Sequence, residues 1–213
     1  ADLAALGFGK SLSDATGGAF DIVAIGPDAR GSSAELTRYG ARTVYSVSHV
    51  DVAEYTAEAY ATAMSGFLEG RTYRVVGAAT SSSTREYFPR VAVKLDAPMA
   101  SDVLALDSAT DDTACFTRAV FVGNLLARIE LSGSLAFATC RASAFDPPEE
   151  QANTIPVEEV SLDGPFAHER KKFVALRQEE SERPDLSEAD IVVTAGRGTK
   201  GPDEGIPIVE ELA

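Results

Sequence analysis

Three short apolar runs, residues 20–26, 43–47 and 75–79, alternate with stretches whose apolar residues recur at helical spacing. A strand that returns to a parallel neighbour through a helix does so by a right-handed crossover, so this alternation calls for an α/β fold. The expected core is a mainly parallel sheet with helices on both faces.

The elements between the runs follow from local chemistry. Leu3, Leu6 and Leu12 among alanines set a first helix over residues 2–16, closed by Gly17-Gly18, which supply left-handed backbone at a helix end. Ser32 and Glu35 have the spacing of a capping box, which predicts a short helix from Ser32 to about Gly40. Val52, Tyr55, Ala59, Met64 and Phe67 predict a helix over 51–68 that ends at Gly70, with the Met and aromatic stripe facing the core. A Ser/Thr loop at 80–84 precedes a helix ending near Leu95, and Pro89 inside it predicts a bend.

After Pro98 the pattern changes. Strands are expected over 102–106, 115–122, 125–131 and 135–140, separated by Asp111-Asp112, Gly123-Asn124 and Gly133. Strands this close together without helices imply antiparallel pairing added to the parallel sheet. Residues 144–156 read as an exposed connector, followed by β-type segments at 157–162 and 171–176. The charged, proline-containing stretch 178–184 reads as a linker, beyond which come a strand at 191–193, a glycine-rich turn at 195–201 and the start of a helix from Ile208 to Leu212.

Charge narrows the partners. The net charge of −14 repels phosphate backbones, so nucleic acid and anionic membranes are excluded as expected partners. No apolar run approaches the roughly 20 residues that span a bilayer, and the amino terminus carries neither a secretory nor an Arg-rich transit pattern. The expected location is the cytoplasm, or the mitochondrial matrix if a presequence has been removed. Cys115 and Cys140 lack C-x-x-C spacing and read as buried reduced thiols; His49 and His168 lack ligand spacing, so no metal site is expected.

Three patterns could carry chemistry. Ser81-Ser82-Ser83 follows a parallel strand and opens a helix, where hydroxyls and free N–H groups can hold a phosphate, but no basic residue precedes Arg85 and a helix cap is the better reading. Gly196-Arg197-Gly198-Thr199-Lys200 could form an anion-binding nest; it fails the P-loop spacing, and a nucleotide role and a plain tight turn stand equally open on pattern alone. The acidic pairs Glu149-Glu150, Glu158-Glu159 and Glu179-Glu180 lie in polar stretches and read as solvated surface. No Ser-His-Asp or Cys-His constellation emerges, so no catalytic residue is assigned.

A long ordered series then enters: residues 77–79, 89–95 (Pro-Arg-Val-Ala-Val-Lys-Leu), Ser101-Asp102-Val103, 118–124 (Arg-Ala-Val-Phe-Val-Gly-Asn) and 139–145 (Thr-Cys-Arg-Ala-Ser-Ala-Phe), with Arg183-Pro184-Asp185-Leu186 and residues 191–198 further on. Its order and spacing resemble the alpha subunit of electron transfer flavoproteins. The resemblance implies a Rossmann-like domain of the adenine-nucleotide-hydrolase type over residues 1–183 and the beginning of a second α/β domain, which binds FAD, over 184–213. It implies an electron carrier, not an enzyme, in which FAD is the redox group and the protein sets its position and electrostatics. The implied partners are a beta subunit that forms the heterodimer and holds AMP, acyl-CoA and other dehydrogenases as electron donors, and a quinone oxidoreductase as acceptor.

Within the resemblance, Arg197 falls on the arginine that the family places at the flavin, where a fixed positive charge favours anionic reduced forms. Gly196 and Gly198 would let the backbone approach the cofactor, and Ala195 replaces a glycine found in many members. The family carries a strand ahead of its first helix, whereas this chain opens at that helix, so one central strand of the sheet is expected to be missing. With the other cofactor loops beyond Ala213, weak or no FAD retention is expected of residues 1–213 alone. The competing readings are a stand-alone adenine-nucleotide-binding module of the stress-protein type, which would use the Ser81 loop, and a module that only docks the beta subunit.

Overall fold

A computed structural model describes residues 2–152, 154–167, 170, 171, 173–175, 177, 191–199 and 201–212. The chain divides into two compact units, Ala1–Phe173 and Val174–Ala213. The expected linker at 178–184 lies outside the described residues.

The first unit is α/β. Helix α1 (Asp2–Thr16) leads into strand β1 (Asp21–Ile25), α2 (Ala29–Leu36), β2 (Thr43–Val47), α3 (Ala57–Leu68), β3 (Val75–Ala79) and α4 (Ser82–Lys94). Gly17 at φ 67° closes α1 as its sequence requires. Then come β4 (Met99–Ala109), β5 (Thr113–Val120), β6 (Leu125–Ser132), β7 (Ala136–Cys140) and β8 (Val157–Val160). The β-type segment expected at 171–176 forms no strand among its described residues.

Two helices depart from expectation. Helix α2 begins at Ala29, and no side chain caps it; Ser33 lies inside the helix and donates to the Ala29 carbonyl at 2.5 Å. The capping box expected at Ser32 and Glu35 is therefore absent, because both residues lie inside a helix that begins at Ala29. The helix expected over 51–68 is interrupted: Val50–Val52 is a single 3₁₀ turn, and α3 starts afresh where Thr56 accepts from the Ala59 amide at 3.3 Å.

Hydrogen bonding organises the strands into two sheets. One is the parallel set β1-β2-β8, and the other is a mixed set in the order β3-β7-β4-β5-β6. The hairpins β4-β5 and β5-β6 supply the expected antiparallel pairing. Strand β7 does not join them: it inserts between β3 and β4 and runs parallel to both. All five of its residues are buried, as a strand covered on both faces requires, so its short connection to β6 is a misleading guide to its pairing. Strand β4 makes this possible by changing partner along its length. Residues 99–103 pair with β7 and residues 103–109 with β5, and Asp102 at φ 56° sits at the changeover.

The core is aromatic and lies on both faces of the mixed sheet. Phe8 of α1 stands 5.8 Å from Phe116 and 5.1 Å from Phe145, while Phe88 of α4 meets Phe137 of β7 edge-on at 5.4 Å. Among the described residues, β1 is an edge of its sheet and β3 an edge of the other, and a cavity of about 620 Å³ lies between them. All ten residues of the two strands line it.

Among its described residues the second unit contains one 3₁₀ turn, Arg197–Thr199, and helix α5 (Pro202–Leu212). Residues 191–193 do not form the expected strand, since a strand needs a paired neighbour and the described part of this unit offers none. Helix α5 starts six residues before Ile208, with Pro202 at its first position, where a missing N–H costs nothing.

Candidate functional site

The residues singled out by sequence sit in the turn of the second unit. The Gly196 carbonyl accepts from both the Thr199 amide, at 3.1 Å, and the Thr199 hydroxyl, at 2.8 Å, which closes residues 196–199 into a compact loop. Arg197 is exposed on it. A Cβ added to Gly196 or Gly198 would meet nothing within 4 Å, so the backbone at both positions is open to a ligand. Gly205 in α5 is different: a Cβ there would lie 2.3 Å from the Thr199 hydroxyl oxygen, so the turn rests directly on the helix.

This arrangement brings Arg197, Gly196 and Gly198 together as one exposed edge with a planar cationic donor and accessible main chain. Those groups fit one side of a flavin dinucleotide: the guanidinium suits a developing negative charge, and the glycines admit close approach. A turn and one helix do not enclose such a ligand, which needs walls on several sides.

The first unit offers a second polar cluster, at the carboxyl ends of β3 and β7. Ser81 caps α4 by accepting from the Thr84 amide at 3.1 Å, and the Thr84 hydroxyl accepts from the Ser81 amide at 2.7 Å. The Thr84 hydroxyl also donates to the Ala79 carbonyl at 2.8 Å. The helix start thus spends two of its free N–H groups on its own side chains, which realises the cap expected at this loop. A phosphate would have to displace those bonds.

Beside the cap, Arg141 donates to Asp102 at 2.5 Å, holding that carboxyl below the usual range, while burial works in the opposite direction. The Asp102 amide in turn donates to the Thr139 hydroxyl at 2.9 Å. Ion pair and hydrogen bond together fix the left-handed residue at which β4 changes partner. Both residues fall in the ordered series that carries the resemblance, but sequence gave the pair no role, since 39 positions separate them.

The remaining candidates are structural. Cys115 and Cys140 are buried and unpaired, and burial pushes the Cys140 thiol up to about 11. Nδ1 of His49 accepts from the Asp51 amide at 3.1 Å and its ring lies 4.4 Å from that of Phe166, so it terminates a turn and packs. His168 lies outside the described residues. Glu149, Glu158 and Glu159 are exposed, and Glu150 accepts an ion pair from Arg38 at 3.0 Å; Glu179-Glu180 lies outside the described residues. Among the described residues no three His, Cys, Asp or Glu side chains converge as metal ligands, and no helix is long and apolar enough to cross a membrane.

Comparison with known proteins places this architecture. A model of the electron transfer flavoprotein domain matches residues 1–165. The chain is 32% identical over 193 residues to the electron transfer flavoprotein subunit alpha of Syntrophomonas wolfei, covering 90% of this chain and 59% of that protein. It is 30% identical over 210 residues to the subunit alpha of Thermoanaerobacterium thermosaccharolyticum, covering 98% and 63%. Protein FixB of Clostridium saccharobutylicum is 27% identical over 210 residues, with 98% and 62% covered. The chain therefore spans about three fifths of the length of these relatives. Fold, ordered motifs and both kinds of match agree: this chain belongs to the electron transfer flavoprotein family, among its alpha subunits.

Proposed function

We propose that this chain is the scaffold part of an electron carrier that works as a heterodimer with a beta subunit. FAD is the redox group; it accepts electrons from dehydrogenases, acyl-CoA dehydrogenases among them, and delivers them to a quinone oxidoreductase. The carrying observation is the family match over residues 1–165. The boundary between the subunit-docking domain and the flavin domain falls at 183/184, and AMP belongs to the beta subunit.

In this reading FAD supplies the electron chemistry, and the chain's residues supply position and charge. Arg197 holds a permanent cation over one edge of the cofactor, while Gly196 and Gly198 let main chain lie against it. The excess of acidic residues suits neither nucleic acid nor anionic membrane, and the carrier works in the cytoplasm or the mitochondrial matrix. The second reading, adenine-nucleotide binding at the Ser81 loop, is disfavoured by the closed cap of α4.

The test is electron transfer by the full-length alpha subunit joined to its beta subunit. Mixed with an acyl-CoA dehydrogenase and its substrate, the heterodimer should bleach in the flavin bands and recolour when a quinone oxidoreductase is added. A heterodimer that is reduced by no dehydrogenase would rule the reading out.

A further inference from the structure

The antiparallel hairpins leave one free border. Strand β6 ends the order β3-β7-β4-β5-β6 and is bonded to β5 alone among the described residues. Its outer edge carries main-chain donors and acceptors that another strand would satisfy. At the tip of the β5-β6 hairpin Phe121, Val122, Leu125 and Leu126 are exposed, an apolar cluster that a lone copy holds in water.

The two faces of β6 differ in chemistry. Ile129 and Leu131 turn toward the core around Phe116, while Arg128 and Glu130 stand exposed on the opposite face. Nε of Arg128 lies 3.5 Å from Asp107, and the guanidinium has further donors to give. Glu130 accepts from the Cys115 thiol at 3.4 Å and pairs with no cation among the described residues. Two charges of one sign would repel a copy of the same edge; two of opposite sign, on either side of Ile129, match it.

We infer that the β6 edge is a self-association site, at which a second copy of this chain adds its own β6 antiparallel about a two-fold axis through Ile129. That register sets Arg128 of each copy opposite Glu130 of the other, so an ion pair flanks the axis on each side. On the other face Ile129 meets its own mate and Ala127 meets Leu131, which carries the apolar face of one sheet into the next. A two-fold through Arg128 or through Glu130 would oppose like charges, and a slip of one residue would set apolar side chains against polar ones. Leu126 falls opposite Ser132 at each end of the pairing and leaves water there. The inference stands on β6 alone and does not depend on the flavin reading.

Sedimentation velocity of the 213-residue chain tests this, at about 0.15 M salt so that the net charge of −14 is screened beyond about 8 Å. The mass should double as concentration rises. Arg128→Glu alone and Glu130→Arg alone each oppose like charges across the axis and should each weaken dimerisation roughly tenfold or more. Mixed together, the two variants should recover the dimer, because each supplies the sign that the other lacks; damage to the fold of either would not be repaired by mixing. Four results would overturn the proposal: a chain that stays monomeric at every concentration, single reversals that dimerise as the unaltered chain does, a mixture that stays monomeric, or loss of the beta subunit from the full-length heterodimer in the same single variants. The last would mean that the edge belongs to that subunit.

Discussion

The phenol of Tyr73 donates to Oδ2 of Asp21 at 2.9 Å, and so ties the segment entering the mixed sheet to the first residue of the parallel sheet. Asp21 also receives Arg42 at 2.5 Å, and its side chain is only 3% exposed. Burial first, and then the bond to Asp21, push the Tyr73 phenol well above its usual range. Replacing Tyr73 by phenylalanine should lower unfolding stability by about 1.5 kcal/mol, the usual worth of a hydrogen bond to a charged group. Urea denaturation measures this, and an unchanged midpoint would show that Arg42 alone holds the carboxylate.

Gly77 is the position where α1 presses hardest on β3. A Cβ there would lie 2.7 Å from the Phe8 ring, and Phe8 is fully buried. Gly77→Ala should cost about 1–3 kcal/mol through overpacking. In the double variant with Phe8→Leu the cost of the alanine should shrink, because the smaller side chain vacates the contact; thermal melts of the four proteins give the coupling.

The Asp102–Arg141 pair predicts an acid limb in stability. The folded carboxyl titrates below its ordinary value, first because of the Arg141 hydrogen bond, so its contribution is complete above that ordinary value and is lost as pH falls through the lowered one. Asp102→Asn keeps a side chain that tolerates left-handed backbone and removes the charge. Its unfolding free energy should fall less between pH 5 and pH 2 than that of the unaltered chain.

The cap of α4 should behave as a stability element. Ser81→Ala removes the acceptor for the Thr84 amide and should cost about 1 kcal/mol. Adenine nucleotide added to either protein should leave the melting temperature unmoved. A nucleotide-dependent rise that Ser81→Ala abolishes would instead support the stand-alone nucleotide reading.

Much of this fold was legible because parallel strands announce themselves. Residues 20–26, 43–47 and 75–79 are short, apolar and bounded by turns, and each became a strand close to its expected limits. What failed did so for tertiary reasons. The run over 135–140 has the spacing of a hairpin partner, yet its burial on both faces sends it to the middle of a parallel set. Ser32 and Glu35 satisfy a local capping pattern that the chain bypasses by starting α2 three residues earlier. At the turn of Gly196, Arg197 and Gly198, local pattern left two readings open, and resemblance, not spacing, singled out Arg197.

In the proposed role this chain holds a redox cofactor beside a sister subunit and contributes position and charge. The most direct measurement is the visible spectrum of the purified full-length heterodimer, taken with Arg197 intact and with Arg197→Ala. One bound flavin per heterodimer is expected, and in the variant a lower midpoint potential with less anionic reduced flavin. A colourless heterodimer would contradict it.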